Sequence, residues 1–144
     1  MTILCLSSYL KGEDFITAAK EAGATVILVT SESLAQAAWP WAAIDNAFFM
    51  PVIDGRWNTT DLVKAISYLG RSNWIDRIVA LDDLDLEKAA MLREHMRVAG
   101  MGDTRTRYFR DKLAMRRQAR DDGIQVPDFI HVLNHSALNE FFDS

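Results

Sequence analysis

An alternation over residues 1–81 most narrows what this chain can fold into. Short apolar runs recur between amphipathic stretches, as in a parallel sheet covered by helices on both faces. A strand at Ile3 to Leu6 precedes a helix over 13–22, with Phe15, Ala18, Ala19 and Ala22 on one face and Gly23 as its stop. A second strand, Thr25 to Thr30, leads to a short polar helix near Ser31 to Ala37. Pro40 then breaks any helix before a third strand around Ala47 to Val52. Asn58 or Thr59 caps a helix in which Leu62, Ile66 and Leu69 recur at helical spacing, and a fourth strand follows at Arg77 to Leu81. The expected fold is α/β, a doubly wound parallel sheet.

Beyond the fourth strand stands Asp82-Asp83-Leu84-Asp85. A helix over 86–98 comes next, its buried stripe formed by Ala89, Leu92 and Met96, and Gly100 and Gly102 close the domain. Periodicity predicts one further helix from Thr106 to Asp122, ending at Gly123. Val126-Pro127 opens an apolar run from Phe129 to Leu133, and Ser136 is placed to cap a last turn. Charge marks the boundary. Residues 1–104 carry nine basic against fourteen acidic residues, 105–120 seven against one, and 121–144 none against five. The switch predicts domains at 1–104 and 105–144.

At 144 residues the chain can bury one sizeable core but not two full domains. No apolar run approaches the ~18 residues of a membrane span. The N-terminus lacks the basic flank of a signal peptide, so the expected setting is cytoplasmic, without a membrane partner. Cys5 lies inside the first apolar run and is expected to be a buried structural thiol. A net charge of −4 argues against general nucleic-acid affinity, which makes a nucleic-acid binder the weakest reading of the cationic segment.

Doubly wound sheets bind ligands at the carboxyl ends of their strands, which points to Ser7, Ser8, Asp82 and Asp83 as candidate substrate contacts. The same residue types also serve as caps and loop anchors, and the residues alone leave the choice open. Adjacent carboxylates could hold a metal, repel an anion or receive a cationic group. A phosphoreceiver needs an acidic pair where Ser7 and Ser8 stand. A dinucleotide-binding fold needs G-x-G-x-x-G, where Gly12 stands alone. Projected as one helix, 106–122 puts Lys112 and Arg116 on the arc of Tyr108, Met115 and Ala119, where they either snorkel or form an anion site.

The run Arg105-Thr106-Arg107-Tyr108-Phe109-Arg110-Asp111-Lys112-Leu113-Ala114-Met115, followed by Gly123-Ile124-Gln125-Val126-Pro127, resembles the opening of the ATP-grasp domain in biotin carboxylases and carbamoyl-phosphate synthetases. That opening is a D-K, a helix, and G-I-x-V-P before a strand. The resemblance implies a Rossmann-like pre-ATP-grasp domain at 1–104, followed by the start of the nucleotide-binding domain as an incomplete α+β segment. It implies an ATP-dependent ligase acting through an acyl phosphate, with ATP, Mg2+ and a small carboxylate as partners of the full-length protein. Lys112 corresponds to the family's first nucleotide-contacting lysine. Biotin as substrate is not supported.

The second lysine, the lid and the magnesium-binding residues of the family lie beyond the segment matched. The 144-residue chain alone is therefore expected to be inactive, to bind no cofactor tightly, and to contain no catalytic or metal-ligating residue. The alternative is a non-catalytic α/β interaction module derived from the same fold, and either version can form a homo-oligomer.

Overall fold

The computed structural model describes residues 1–143, in two compact units, Met1–Asp103 and the segment from Thr104 onward. In the first unit four strands form a parallel sheet in the order β3-β2-β1-β6: β1 Thr2–Ser7, β2 Thr25–Ser31, β3 Asn46–Met50 and β6 Arg77–Ala80. Residue by residue, Leu4 lies beside Ile27 on one flank and beside Ile78 on the other. Order and direction make the sheet doubly wound. The chain moves outward from β1 through β2 to β3, then returns through helix α2, Thr59–Leu69, to place β6 on the far side of β1. The switch point lies between the carboxyl ends of β1 and β6.

Period-two alternation divides the core. Leu4, Leu6, Ile27 and Val29 face α2 and α3, Leu86–Met96, together with Leu62, Ile66, Leu69 and Leu92. Ile3, Cys5, Val26 and Leu28 face the other way, onto Ile16 of helix α1, Glu13–Glu21, and onto Trp39. Both faces are covered, so the central strands read as unbroken apolar runs, and each fully buried Leu or Ile contributes about 1.5–3 kcal/mol. Burial also pushes the Cys5 thiol up to about 12, which leaves it inert at neutral pH.

Several local expectations need correction. The buried side of α1 is set by Ile16, with Ala19 half-buried, whereas Phe15 is 41% exposed and Ala18 and Ala22 face solvent. Alanines offer too little area to fix a helix's rotation, and the one β-branched aliphatic side chain does so instead. The polar helix expected near Ser31 to Ala37 is a 3-10 turn, Glu32–Leu34, and a second such turn, Trp41–Ala43, follows Pro40. The third strand stops at Met50 because Pro51 lacks a backbone donor. The chain then folds into a hairpin, β4 Val52–Ile53 and β5 Arg56–Trp57, turning through Asp54 and Gly55, both at positive φ.

Helix α3 ends at Arg97, which adopts φ 57 in a Schellman arrangement: Val98 N–H bonds to Arg93 O, and Arg97 N–H to Glu94 O. The Arg93 guanidinium donates to Ile78 O at 2.8 Å and to Met101 O at 2.9 Å, fixing the segment that follows α3 against β6. Asp103 N–H, at the start of α4, donates to Glu94 Oε1 at 2.9 Å.

The second unit is helical. The single helix expected over 106–122 is two, α4 Asp103–Arg110 and α5 Lys112–Asp121, because the Asp111 side chain accepts from Leu113 N–H at 2.9 Å and Ala114 N–H at 3.3 Å and so caps a new helix. Lys112, Met115 and Arg116 are exposed, while Leu113, Ala114, Gln118 and Ala119 are half-buried. The arc shared by Tyr108 and Lys112 therefore does not exist, since it depended on a continuous helix.

Gly123 at φ 78 closes α5, and Arg120 stacks on Phe129 with 4.6 Å to the ring centre. The strand implied after Pro127 is not formed. Residues 124–134 are irregular up to α6, His135–Asp143, and a strand without a neighbour would leave its ladder groups unpaired. Asn134, not Ser136, caps α6, its side chain accepting from Ala137 N–H at 3.0 Å.

Candidate functional site at the sheet switch point

The carboxyl ends of β1 and β6 bring Ser7, Ser8 and Asp82 into one region, joined by Asp85, Lys11 and Lys88. Ser7 is fully buried and its hydroxyl turns back into its own loop, donating toward Tyr9 O at 2.6 Å, with Lys11 O at 3.4 Å. It shapes that loop. Gly12 ends it at φ 84, and α1 starts with no side-chain cap but with Glu13 and Asp14 in its first turn, where acids favour the helix dipole.

Ser8 is held from three directions. Its N–H donates to Asp85 Oδ2 at 2.7 Å and its hydroxyl to the same oxygen at 2.9 Å, while its carbonyl accepts from Ser31 Oγ at 3.1 Å. Ser31 in turn accepts from Trp57 Nε1 at 3.0 Å. Asp85 is fully buried, and its other oxygen meets Lys88 Nζ at 2.8 Å. The ammonium also reaches Leu84 O at 3.2 Å and stands 5.6 Å from the centre of the Trp57 ring. A buried carboxylate demands such pairing, since removing a charge from water without it costs several kcal/mol.

Asp82 plays a different part. One oxygen accepts from Leu84 N–H at 2.9 Å, capping the 3-10 turn Asp83–Asp85, and the other meets Lys11 Nζ at 2.8 Å. The Lys11 ammonium, then the Leu84 N–H, hold this carboxyl below its ordinary range, and Asp82 raises Lys11 reciprocally. Asp85 stands at the N-cap position of α3, but its side chain makes no cap bond and reaches Ser8, the residue after β1, instead. Asp83 is exposed beside this cluster.

Sequence reasoning passed over Asp85, Lys11 and Lys88. The signal available for two of them was the i,i+3 spacing of Asp85 and Lys88 across a helix start.

Lys88 also lines a groove of about 540 Å3, bordered by Thr59, Glu87, Met91 and Glu94 among others. In the second unit, considered by itself, Lys112 opens α5 as an exposed ammonium, and a groove of about 380 Å3 is lined by Tyr108, Asp111, Leu113 and Arg117 among others. Among the described residues no three His, Cys, Asp or Glu side chains group as a metal site. No helix among the described residues is long and apolar enough to cross a membrane.

No family model matches the sequence, and no curated protein is similar to it in sequence. Solved structures are similar in fold. An L-amino acid ligase from Bacillus licheniformis superposes with a TM-score of 0.72 at 15% identity, over 88% of this chain and 31% of that one. A phosphoribosylglycinamide synthetase from Anaerococcus prevotii gives 0.70 at 15% identity, over 99% of this chain and 34% of that one. The phosphoribosylaminoimidazole carboxylase ATPase subunit from Aquifex aeolicus gives 0.54 at 16% identity, over 90% and 34%. These are ATP-grasp enzymes, and the chain shares the fold of their N-terminal region. It spans about a third of the length of each.

Proposed function

We propose that residues 1–104 are the N-terminal domain, and residues 105–144 the opening of the nucleotide-binding domain, of a cytoplasmic ATP-dependent ligase that joins a carboxylate to an amine or thiol. The observation that carries this reading is the likeness to ATP-grasp structures over 88–99% of the chain in the two stronger superpositions. The D-K sequence adds to it, since Asp111 caps a helix that begins at Lys112.

In the proposed reaction a carboxylate oxygen attacks the γ-phosphorus of ATP and ADP leaves. The amine or thiol then adds to the acyl carbon, loses its proton, and expels phosphate. Both steps move negative charge between oxygens, so fixed cations and dipoles carry most of the catalysis. Lys112 would contact the nucleotide, and Ser8, Asp82 and Asp83 would border the substrate, with Ser7 supporting their loop. Magnesium would be held by residues outside this set.

The test is isotopic. With substrate labelled by 18O in its carboxylate, the intact ligase should transfer one labelled oxygen to inorganic phosphate, and hydroxylamine should trap the acyl phosphate as a hydroxamate. Cleavage of ATP to AMP, or phosphate carrying no label, would overturn the acyl-phosphate route.

A further inference from the structure

We infer that the outer edge of β3 is a dimerisation surface, which takes the β3 strand of a second copy of this chain, antiparallel about a two-fold axis at Phe48. This does not depend on the ligase reading above. Backbone direction carries it. Thr25 N–H donates to Met1 O at 2.9 Å, so alternate residues of β2 from Thr25 onward turn their backbone groups to β1, and Val26, Leu28 and Thr30 turn theirs to β3. In the register with β3 these three flank Asn46 and Phe48, whose groups complete the ladder. Ala47 and Phe49 are left with N–H and C=O directed away from the sheet. Among the described residues no backbone hydrogen bond reaches β3 from anything but β2.

The two edges of the sheet differ. On β6 the Arg93 guanidinium occupies Ile78 O at 2.8 Å, and the strand opens on the charged Arg77. β3 has neither a charge nor a proline between Asn46 and Met50, the devices that ordinarily keep an edge from pairing. Phe48 is 40% exposed and Phe49 39%, and Val52 and Ile53 beyond Pro51 are exposed as well. An unpaired, uncharged, apolar edge is a template for another strand.

The strand fits itself. With the axis at Phe48, Ala47 of each copy stands opposite Phe49 of the other, and these pairs exchange the outward bonds. Phe48 meets Phe48 of the second copy in the closer, non-hydrogen-bonded pair, on the face where Val29 lies beside it. On the other face Ala47 sets a small side chain against a large one. No like charges oppose, since Asp45 faces Pro51 and is already held by Lys20 at 2.6 Å. A foreign strand finds no charge on β3 to recognise, which favours the second copy. At −4 per chain the copies repel, so the dimer should tighten with salt.

The experiment uses residues 1–144 in sedimentation equilibrium from micromolar to millimolar concentration, with amide hydrogen exchange at both ends of that range. Ala47 and Phe49 N–H should become protected as concentration rises, whereas Phe48 N–H, bonded to β2, is protected throughout. Ala47→Pro removes an outward donor and leaves the ladder to β2 in place, so it should weaken the dimer at least about tenfold with the monomer still folded. Phe48→Lys sets two ammonium groups face to face and should do the same. Should Ala47→Pro not fold, Phe48→Lys decides, with the exposed Tyr68→Lys as the control that leaves the dimer unchanged. A monomer at every concentration, even one whose edge pairs with an added foreign peptide, would overturn the inference. So would a dimer that salt dissociates, a dimer unchanged in Phe48→Lys, or exchange at Ala47 and Phe49 that ignores concentration.

Discussion

Gly12 and Leu81 approach so closely that a β-carbon on the glycine would lie 2.7 Å from the leucine Cβ and 2.9 Å from its Cδ1. The contact joins the loop after β1 to the residue after β6, on the two sides of the switch point. Gly12 also holds φ 84. Gly12→Ala should therefore cost twice over, about 1–2 kcal/mol for the left-handed backbone and about 1–3 kcal/mol for overpacking. Gly23 separates the two effects, because it has nearly the same φ, 83, with nothing within 4 Å of the added carbon. Gly23→Ala should show the backbone cost alone. Urea unfolding of the two variants measures the difference, and equal losses would mean that Leu81 moves aside freely.

Acid should weaken the fold through three carboxylates. Asp82 is held low by the Lys11 ammonium and then by Leu84 N–H, Asp45 by the Lys20 ammonium and then by Val26 N–H, and Asp76 by Thr2 N–H ahead of the Trp74 indole. A folded value below the unfolded one gives stability that is fully present above the unfolded carboxylate range, about pH 4, and is lost as pH falls through the folded value. Lys11→Met removes the largest cause at Asp82. Its stability should fall short of the wild type near neutrality, and the two should converge as pH drops below about 4. A gap that stays constant down to about pH 2 would show that the ion pair does not act through Asp82.

The parts of the fold legible in the sequence are those in which one element's pattern suffices. Residues 3–6 and 25–30 read as strands because both faces are covered, and Leu62, Ile66 and Leu69 marked the buried face of α2 because three large side chains fix its rotation. Where side chains are small, as on α1, the pattern misjudged the rotation. The hairpin at 52–57 carried its signal in Asp54-Gly55, a pair suited to two positive φ values between short β segments. The break at Asp111 was likewise written as an N-cap residue before a run of helix formers.

The Asp85 tether to Ser8 was not legible in this way. It spans 77 residues and exists only because β6 lies beside β1, and the order of strands in a sheet is a tertiary fact that no local window contains. Periodicity could place Ser8 and the acidic run at strand ends, but not show which carboxylate would turn inward.

Lys112 gives the sharpest remaining test of the ligase reading. It stands in the first turn of α5, where no acidic side chain is present and the positive end of the helix dipole disfavours a cation. Its place is therefore not explained by helix stability. If it contacts nucleotide phosphate, Lys112→Ala in the intact ligase should weaken ATP binding or slow phosphoryl transfer by about 2–4 kcal/mol. Melting temperature should stay level or rise slightly, since removing the charge relieves about 0.3–1 kcal/mol at the helix end.

Asp111→Ala should give a different signature, losing about 1 kcal/mol of stability with the cap and weakening ATP only as far as the lysine is displaced. Lys64→Ala is the control, because its exposed pair with Asp61 at 3.6 Å contributes little. ATP titrations and melting curves on the three variants decide between the readings: nucleotide affinity in Lys112→Ala equal to that in Lys64→Ala would remove Lys112 from the site and leave the assignment resting on the fold of the first 103 residues.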